Sequence, residues 1–145
     1  MSLLWKTATT AVDPATVDHS YHTAHGLNHW ATKAGFKESP CGYASCPNFD
    51  EDHFNAMDRA ESLRTTKGKF QVIDSQHANL HAMEPHIDDE TLAAYRQKTP
   101  PKKFLPHIFT HKGKTHILDG HHRLIADSLE GRKTPLIHTN LDKED

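Results

Sequence analysis

From about Lys69 onward, short apolar runs alternate with longer segments in which apolar residues recur every three or four positions. Short apolar runs bounded by turn residues are typical of strands, and the wider spacing is typical of helices. In chain order the pattern predicts strand, helix, strand, strand, helix and strand, at residues 70–73, 87–98, 104–109, 115–118, 121–130 and 135–141. This order favours a small α+β domain with a mixed sheet.

Capping residues support several of these ends. Asp88 can cap the first predicted helix of this region, with Ile87 packing onto Leu92 as a hydrophobic staple. Residues 111–114 have the composition of a turn between two strands, and Gly131 predicts the end of the second helix.

Residues 1–66 differ in composition from the region that follows them. Two helices are predicted, one at 18–33 that Gly35 ends and one at 50–64 with acidic residues in its first turn, and the segment between them has loop composition. We therefore expect a mainly helical, histidine- and cysteine-rich extension at 1–66, followed by a second domain at 67–145.

Composition narrows the class of protein. The chain has 145 residues, 35% hydrophobic and 25% charged, and a net charge of −2, so bulk charge does not attract it to nucleic acid. It contains no apolar run long enough to span a membrane and no signal-peptide pattern at its start. Its two cysteines lie close together, which favours free thiols or metal ligands in a reducing compartment. We expect a cytoplasmic protein.

The segment 115–135, THILDGHHRLIADSLEGRKTP, carries the chemistry that stands out most. It predicts a strand, a sharp turn at Asp119 and Gly120, and a helix that begins with His121, His122 and Arg123. Exposed amide N–H groups and the positive end of the helix dipole converge at such a turn, which favours anions. Arg123 adds a bidentate donor suited to phosphate. An ordinary strand–helix corner with a polar surface would show the same spacing.

DGHHR followed by an apolar helix, a glycine and a final strand resembles the ParB/sulfiredoxin superfamily, whose members carry GERR or GCHR at this junction. The resemblance covers about residues 69–141, and the order of elements agrees with it. It implies a ParB/sulfiredoxin-like fold. Relatives include CTP-switched DNA clamps, ATP-using sulfinic acid reductases, free-serine kinases and ParB-like nucleases.

The resemblance also implies site residues. The phosphates of a nucleoside triphosphate, with Mg²⁺, would be held at the turn, and the loop before the first helix would supply a second contact or a catalytic group. The residues carried over as phosphate-binding are Asp119, Gly120, His121, His122, Arg123 and His81. Glu84 and His122 are the catalytic candidates, with Glu84 as a general base or metal ligand; Glu84 as a plain surface carboxylate remains open.

Two departures from the family pattern disfavour two of the activities found in the superfamily. The cysteine that sulfiredoxins use in the turn is His121 here, so sulfinic acid reduction is disfavoured. The DNA clamps follow this domain with a helix-turn-helix and a dimerisation domain, for which we expect no room after Leu141.

Three functions remain open: a nuclease or nucleotide hydrolase, a kinase of a small hydroxylated substrate, and a non-catalytic nucleotide- or partner-binding module. A run of basic residues after Pro100 slightly favours the nuclease, because it predicts a local DNA-binding patch: Lys102, Lys103, Lys112, Lys114, Arg123, Arg132 and Lys133. A solvated surface is the alternative interpretation of that patch, and the sequence leaves the oligomeric state open.

Histidines and cysteines in the first region suggest a metal site. The chain contains 14 histidines. His25 and His29 together with Cys41 and Cys46 would make a Cys₂His₂ set suited to tetrahedral zinc. The spacing is not that of a common zinc finger, and a compositional bias toward histidine would explain the same residues.

Overall fold

A six-stranded mixed sheet organises the computed structural model, which describes residues 29–40, 49–82, 87–98 and 105–143. The strands are β1 Lys37–Glu38, β2 Lys69–Ile73, β3 Leu80–Ala82, β4 His107–His111, β5 Lys114–Asp119 and β6 Thr134–Asn140. The helices are α1 His29–Lys33, α2 Glu51–Ser62, α3 Arg64–Lys67, α4 Asp89–Gln97 and α5 His121–Glu130, followed by a 3₁₀ turn at Leu141–Lys143. The predicted mixed α/β architecture is confirmed.

The strand order is β1-β3-β5-β4-β6-β2, so β1 and β2 are the edges of the described sheet. Strands β3 and β5 are parallel, as are β4 and β6, whereas β4 with β5 and β2 with β6 are antiparallel. The β4–β5 connection is the predicted tight turn, in which Lys112 and Gly113 have φ values of 52° and 77°.

Alternation along the strands creates two cores, because successive side chains point to opposite faces of a sheet. Ile108 and Ile117 pack on one face with Leu92 of α4 and Leu124 and Ile125 of α5. The next residue on each strand packs on the other face against α2 and the 3₁₀ turn, in a cluster of Phe109, Leu118, Ala56, Met57, Ala60 and Leu141.

Residues of the predicted N-terminal extension complete both cores. Ala31, Ala34 and Phe36 belong to the cluster that α5 also joins, and the Ser128 hydroxyl of α5 donates to the Ala34 carbonyl at 2.6 Å. Strand β1 pairs with β3, and α2 covers the second face. Within the part of the chain that the structure describes, no helix is long and apolar enough to cross a membrane.

Most element ends agree with the predictions to within a few residues. Asp50 caps α2, Asp88 caps α4 by accepting from the Thr91 amide, and Gly131 ends α5 at a φ of 70°. Two short strands, β1 and β3, were not predicted. Of the predicted helix at 18–33, only the last residues are described, and α1 ends before Gly35 as expected.

Candidate functional site

The DGHHR motif lies at the junction of β5 and α5, as predicted. Gly120 is the N-cap of α5 and has a φ of 92°. A β-carbon placed there would approach the Pro106 β-carbon to 2.6 Å, well inside van der Waals contact. Glycine is therefore required at this position by both backbone conformation and space.

The side chains of this junction are buried, in contrast to the exposed anion site that the sequence predicts. His121, His122 and Arg123 are 0%, 1% and 3% exposed. The reason is that α5 occupies the interior of the molecule: its first eight residues are all buried, and it packs against both α4 and the sheet.

His122 connects the starts of two helices. Its Nε2 atom accepts a hydrogen bond of 2.9 Å from the backbone amide of Asp88, the N-cap of α4. Burial lowers the pKa of His122 to about 4, so the ring is neutral near pH 7 and its one proton lies on Nδ1. That Nδ1–H group is buried and has no hydrogen-bond partner among the described residues.

Arg123 has unused donors next to an occupied carboxylate. Its Nε atom lies 3.6 Å from an Asp127 oxygen, which is too long for a hydrogen bond. The Asp127 oxygens already accept from Arg132 Nε at 2.9 Å and from the Thr134 hydroxyl at 2.6 Å. Two guanidinium groups therefore face one carboxylate, and Nε and Nη1 of Arg123 lack hydrogen-bond partners in the described parts of the chain.

A buried charged donor without an acceptor costs several kcal/mol. Here the donors of His122 and Arg123 lie at the first turn of a ten-residue helix, where the helix dipole also favours negative charge. An oxyanion is the kind of acceptor that such donors bind.

The structure distributes the other predicted site residues differently. Asp119 ends β5 beside the turn and is 7% exposed. His81 lies on β3 opposite His116 of β5. His116 precedes Asp119 by three residues, which corresponds to about 10 Å along β5. His81 is not brought to the turn. Glu84 lies outside the described residues.

Instead, His81 belongs to a histidine cluster that the sequence analysis did not predict. The rings of His53 and His81 lie 4.5 and 5.1 Å from the ring of His116, and Phe109 stacks on His116 at 5.2 Å. The Ser39 hydroxyl is 2.7 Å from His116 Nδ1. These residues come from separate elements, so no local spacing connects them.

Burial keeps this cluster uncharged. Burial lowers the pKa of His53 to about 4 and that of His116 to about 3. The neighbouring histidines lower the pKa of His116 further. Burial also lowers the pKa of His81. Across the described ranges, no group of three histidine, cysteine, aspartate or glutamate side chains is placed to hold a metal ion. The rings of this cluster pack against one another in the neutral form.

The structure describes one of the four residues of the predicted zinc set. His29 begins α1, and its ring lies 4.9 Å from that of Trp30. His25, Cys41 and Cys46 lie outside the described residues, so the zinc site stays a prediction.

Five of the seven residues of the predicted basic patch are described, and Lys114 and Lys133 among them are exposed. Arg123 is buried, and Arg132 is directed inward by its bonds to Asp127 and to the carbonyls of Tyr95 and Arg96. Lys112 lies 2.9 Å from Asp52. Lys102 and Lys103 fall outside the described residues.

Comparison with known proteins finds no match: no family model, no curated protein and no solved structure aligns with this chain.

Proposed function

We propose that this chain is a ParB-like phosphate-handling domain, a nuclease or nucleotide hydrolase that binds nucleotide phosphates at the turn from Gly120 to Arg123. The observation that carries the proposal is the buried Arg123 guanidinium, which has unused donors beside a carboxylate that is already occupied. The paired donors of a guanidinium suit phosphate oxygens.

The assignment to a ParB/sulfiredoxin-like fold belongs to the same proposal. It is supported by DGHHR at a strand–turn–helix junction and by the mixed sheet with helices on both faces. The hydrogen bond between the Asp88 amide and His122 adds a further feature, because it brings the first turns of α4 and α5 together. The first turn of α5 carries no acidic residue, and the positive end of its helix dipole favours an anion.

Access to the turn requires movement. Only 4% of the Arg123 side chain is exposed, so a phosphate reaches it when neighbouring residues shift. We therefore expect nucleotide binding to be coupled to a local rearrangement at the starts of α4 and α5, and to be slower than simple diffusion into an open cleft.

A magnesium ion belongs to the same proposal. Mg²⁺ commonly binds proteins through one or two carboxylates together with substrate phosphates. Asp119, immediately before Gly120, is the carboxylate that the described turn offers. In this proposal Asp119 would hold the ion, which would neutralise phosphate charge.

A non-catalytic nucleotide-binding module is the second candidate, and one observation favours it. His122 has its Nε2 atom engaged and a pKa of about 4, so it supplies a hydrogen bond but no acidic proton near pH 7. Catalysis would then depend on Glu84, which lies outside the described residues. The small-molecule kinase stays a third hypothesis, because it too needs Glu84 as its base.

The test is nucleotide-dependent stabilisation followed by turnover. The melting temperature of the wild type is measured with ATP, CTP, GTP and ADP, each with and without Mg²⁺. A ligand at about 100 times its Kd adds about 2.7 kcal/mol of stability, and Arg123→Gln should abolish that gain while Arg123→Lys retains a fraction. Arg96→Lys is the control, because Arg96 is partly exposed and pairs with Glu130.

Cleavage of labelled oligonucleotides and release of phosphate from the binding nucleotide then separate nuclease, hydrolase and binding module. A stabilising nucleotide that is never turned over supports the binding module. The absence of stabilisation by any nucleotide, or an equal shift in Arg123→Gln, would overturn the proposal.

A further inference from the structure

A second candidate site lies at the β2 edge of the sheet. A cavity of about 250 Å³ is lined by Lys67, Lys69, Gln71, His138, Asn140 and Lys143, and we call it the lysine pocket. It adjoins the end of the sheet where Asn140 pairs with Thr110, whereas Asp119 pairs with His107 at the other end. Strand β2 is also three strand spacings, about 14 Å, from β5. The pocket is therefore separate from the β5–α5 turn.

The charge of the lysine pocket is one-sided. Its lining carries three ammonium groups and, among the described residues, no carboxylate, although the chain has 19 acidic and 17 basic residues. Lysines from three elements, α3, β2 and the 3₁₀ turn, converge because β2 pairs antiparallel with β6 and places Lys69 opposite His138. Like charges that lie around one cavity repel each other, and a bound anion would attract all of them.

The neutral groups of the pocket are oriented as donors. His138 Nε2 lies 2.7 Å from the Thr110 hydroxyl, and its Nδ1 lies 3.0 Å from Gln71 Oε1. A neutral ring that accepts from Thr110 donates to Gln71, which leaves the Gln71 NH₂ group for the pocket. Asn140 Oδ1 accepts from the Asp142 amide, which leaves the Asn140 NH₂ group as well. Ammonium and amide N–H groups together suit the oxygens of a phosphate.

An aromatic platform lies on the same strand. Phe70 is 62% exposed and Val72 is 55% exposed, and both side chains project from the face of β2 opposite Lys69 and Gln71. Because β2 is an edge strand of the described sheet, a ligand that crosses this edge contacts both faces. Lysines that follow a phosphate backbone beside an aromatic ring that stacks on a base are the usual elements of single-strand binding.

We propose that the lysine pocket binds the phosphodiester backbone of single-stranded nucleic acid, with a base stacked on Phe70. The cavity, at about 250 Å³, is large enough for a phosphate with its sugar. The attraction is local, since the whole chain carries a net charge of −2. This site goes beyond the nucleotide turn and does not depend on it.

The test is fluorescence anisotropy with a labelled oligothymidylate of about 12 nucleotides across a series of salt concentrations. Lys69→Gln/Lys143→Gln should weaken binding at least tenfold at low salt. For single strands, log K falls with log salt by about 0.7 per phosphate neutralised, so the slope should flatten by about 1.4 in this double variant. Phe70→Ala should weaken binding by about tenfold and leave the slope unchanged.

The matched control is Lys37→Gln/Lys98→Gln, which removes two exposed lysines outside the pocket and should bind like the wild type. Competition with inorganic phosphate and with thymidine monophosphate identifies the source of the phosphate: weak competition by both supports a polymer, and full competition by the mononucleotide at equal concentration contradicts it. Equal losses in the pocket and control variants would overturn the proposal. The salt slope of oligonucleotide binding reports on the pocket, and the melting-temperature shift with a mononucleotide reports on the turn, so failure of one proposal is distinguishable from failure of the other.

Discussion

The β5–α5 turn and the lysine pocket are both rich in positive donors, but they hold them in opposite ways. At the turn, Arg123 is 3% exposed and lies within the core against Asp127. In the pocket, Lys67, Lys69 and Lys143 are exposed around an open cavity. A buried charge interacts strongly and is fixed by its surroundings, whereas exposed charges are screened by salt.

This difference has consequences for what each site can do. Donors fixed in a buried turn favour one ligand geometry and couple ligand binding to the stability of the core. Exposed lysines around a cavity favour a polyanion of variable sequence and leave stability almost unaffected. Changes that alter folding should therefore map to the turn and the histidine cluster, and changes that alter salt-dependent binding should map to the pocket.

The largest expected effect is loss of stability in acid. Burial lowers the pKa of His53, His107 and His122 to about 4 and that of His116 and His121 to about 3. The unfolded chain, with histidine pKa values near 6.5, therefore binds more protons below neutrality. Stability is fully present above about pH 6.5 and is lost as the pH falls toward 3–4, by up to about 1.4 kcal/mol per histidine per pH unit.

Denaturant unfolding at pH 7.5, 6.5 and 5.5 measures this effect. The protein should lose several kcal/mol over that range, which is a large share of a typical domain's stability. The variant Lys69→Gln/Lys143→Gln should follow the wild-type profile, because neither lysine contacts these histidines. A free energy of unfolding that stays constant between pH 7.5 and 5.5 would show that these rings are not buried in the neutral form.

A smaller effect is expected from the backbone of the turn. Gly120→Ala places a β-carbon 2.6 Å from Pro106 at a φ of 92° and should destabilise the protein by about 3 kcal/mol. Gly131→Ala is the matched control, since Gly131 also has a positive φ but meets nothing within 4 Å. That control should cost about 1 kcal/mol. Equal losses in the two variants would remove the packing argument for glycine in DGHHR.

The smallest effect on stability is expected in the lysine pocket. Lys69→Gln/Lys143→Gln removes two exposed charges that repel each other, so the free energy of unfolding should change by less than about 0.5 kcal/mol. Urea unfolding at low and high salt measures it. A loss above about 2 kcal/mol would mean that these lysines support the fold and are not held there for a ligand.

The sequence predicts an element well when the residues that determine it are close together in the chain. Helix α5 was predicted with its observed bounds because Gly120 and Gly131 mark its two ends. Strands β1 and β3 have two and three residues, too few to show a period, and they exist because they extend a sheet that other strands form.

The sites show the same dependence. The position of Arg123 at a strand–helix junction is a local pattern and was predicted, but its burial follows from the packing of α5 between α4 and the sheet. His53, His81 and His116 belong to three separate elements, and Lys69 meets Lys143 only because β2 pairs with β6. A correct prediction that β2 pairs with β6 would also have predicted that Lys69 and Lys143 lie near each other.

The most direct test of the central claim is the stability of Arg123→Met without ligand, beside its response to nucleotide. If Arg123 is held in the core for an anion, the apolar variant should unfold within about 1 kcal/mol of the wild type, or be more stable, because unused charged donors are removed. Its nucleotide-induced stabilisation should be lost. Arg132→Met should lose about 3 kcal/mol, because Arg132 makes three hydrogen bonds, to Asp127, Tyr95 and Arg96. A loss of 3 kcal/mol or more in Arg123→Met, with the response to nucleotide intact, would contradict the account.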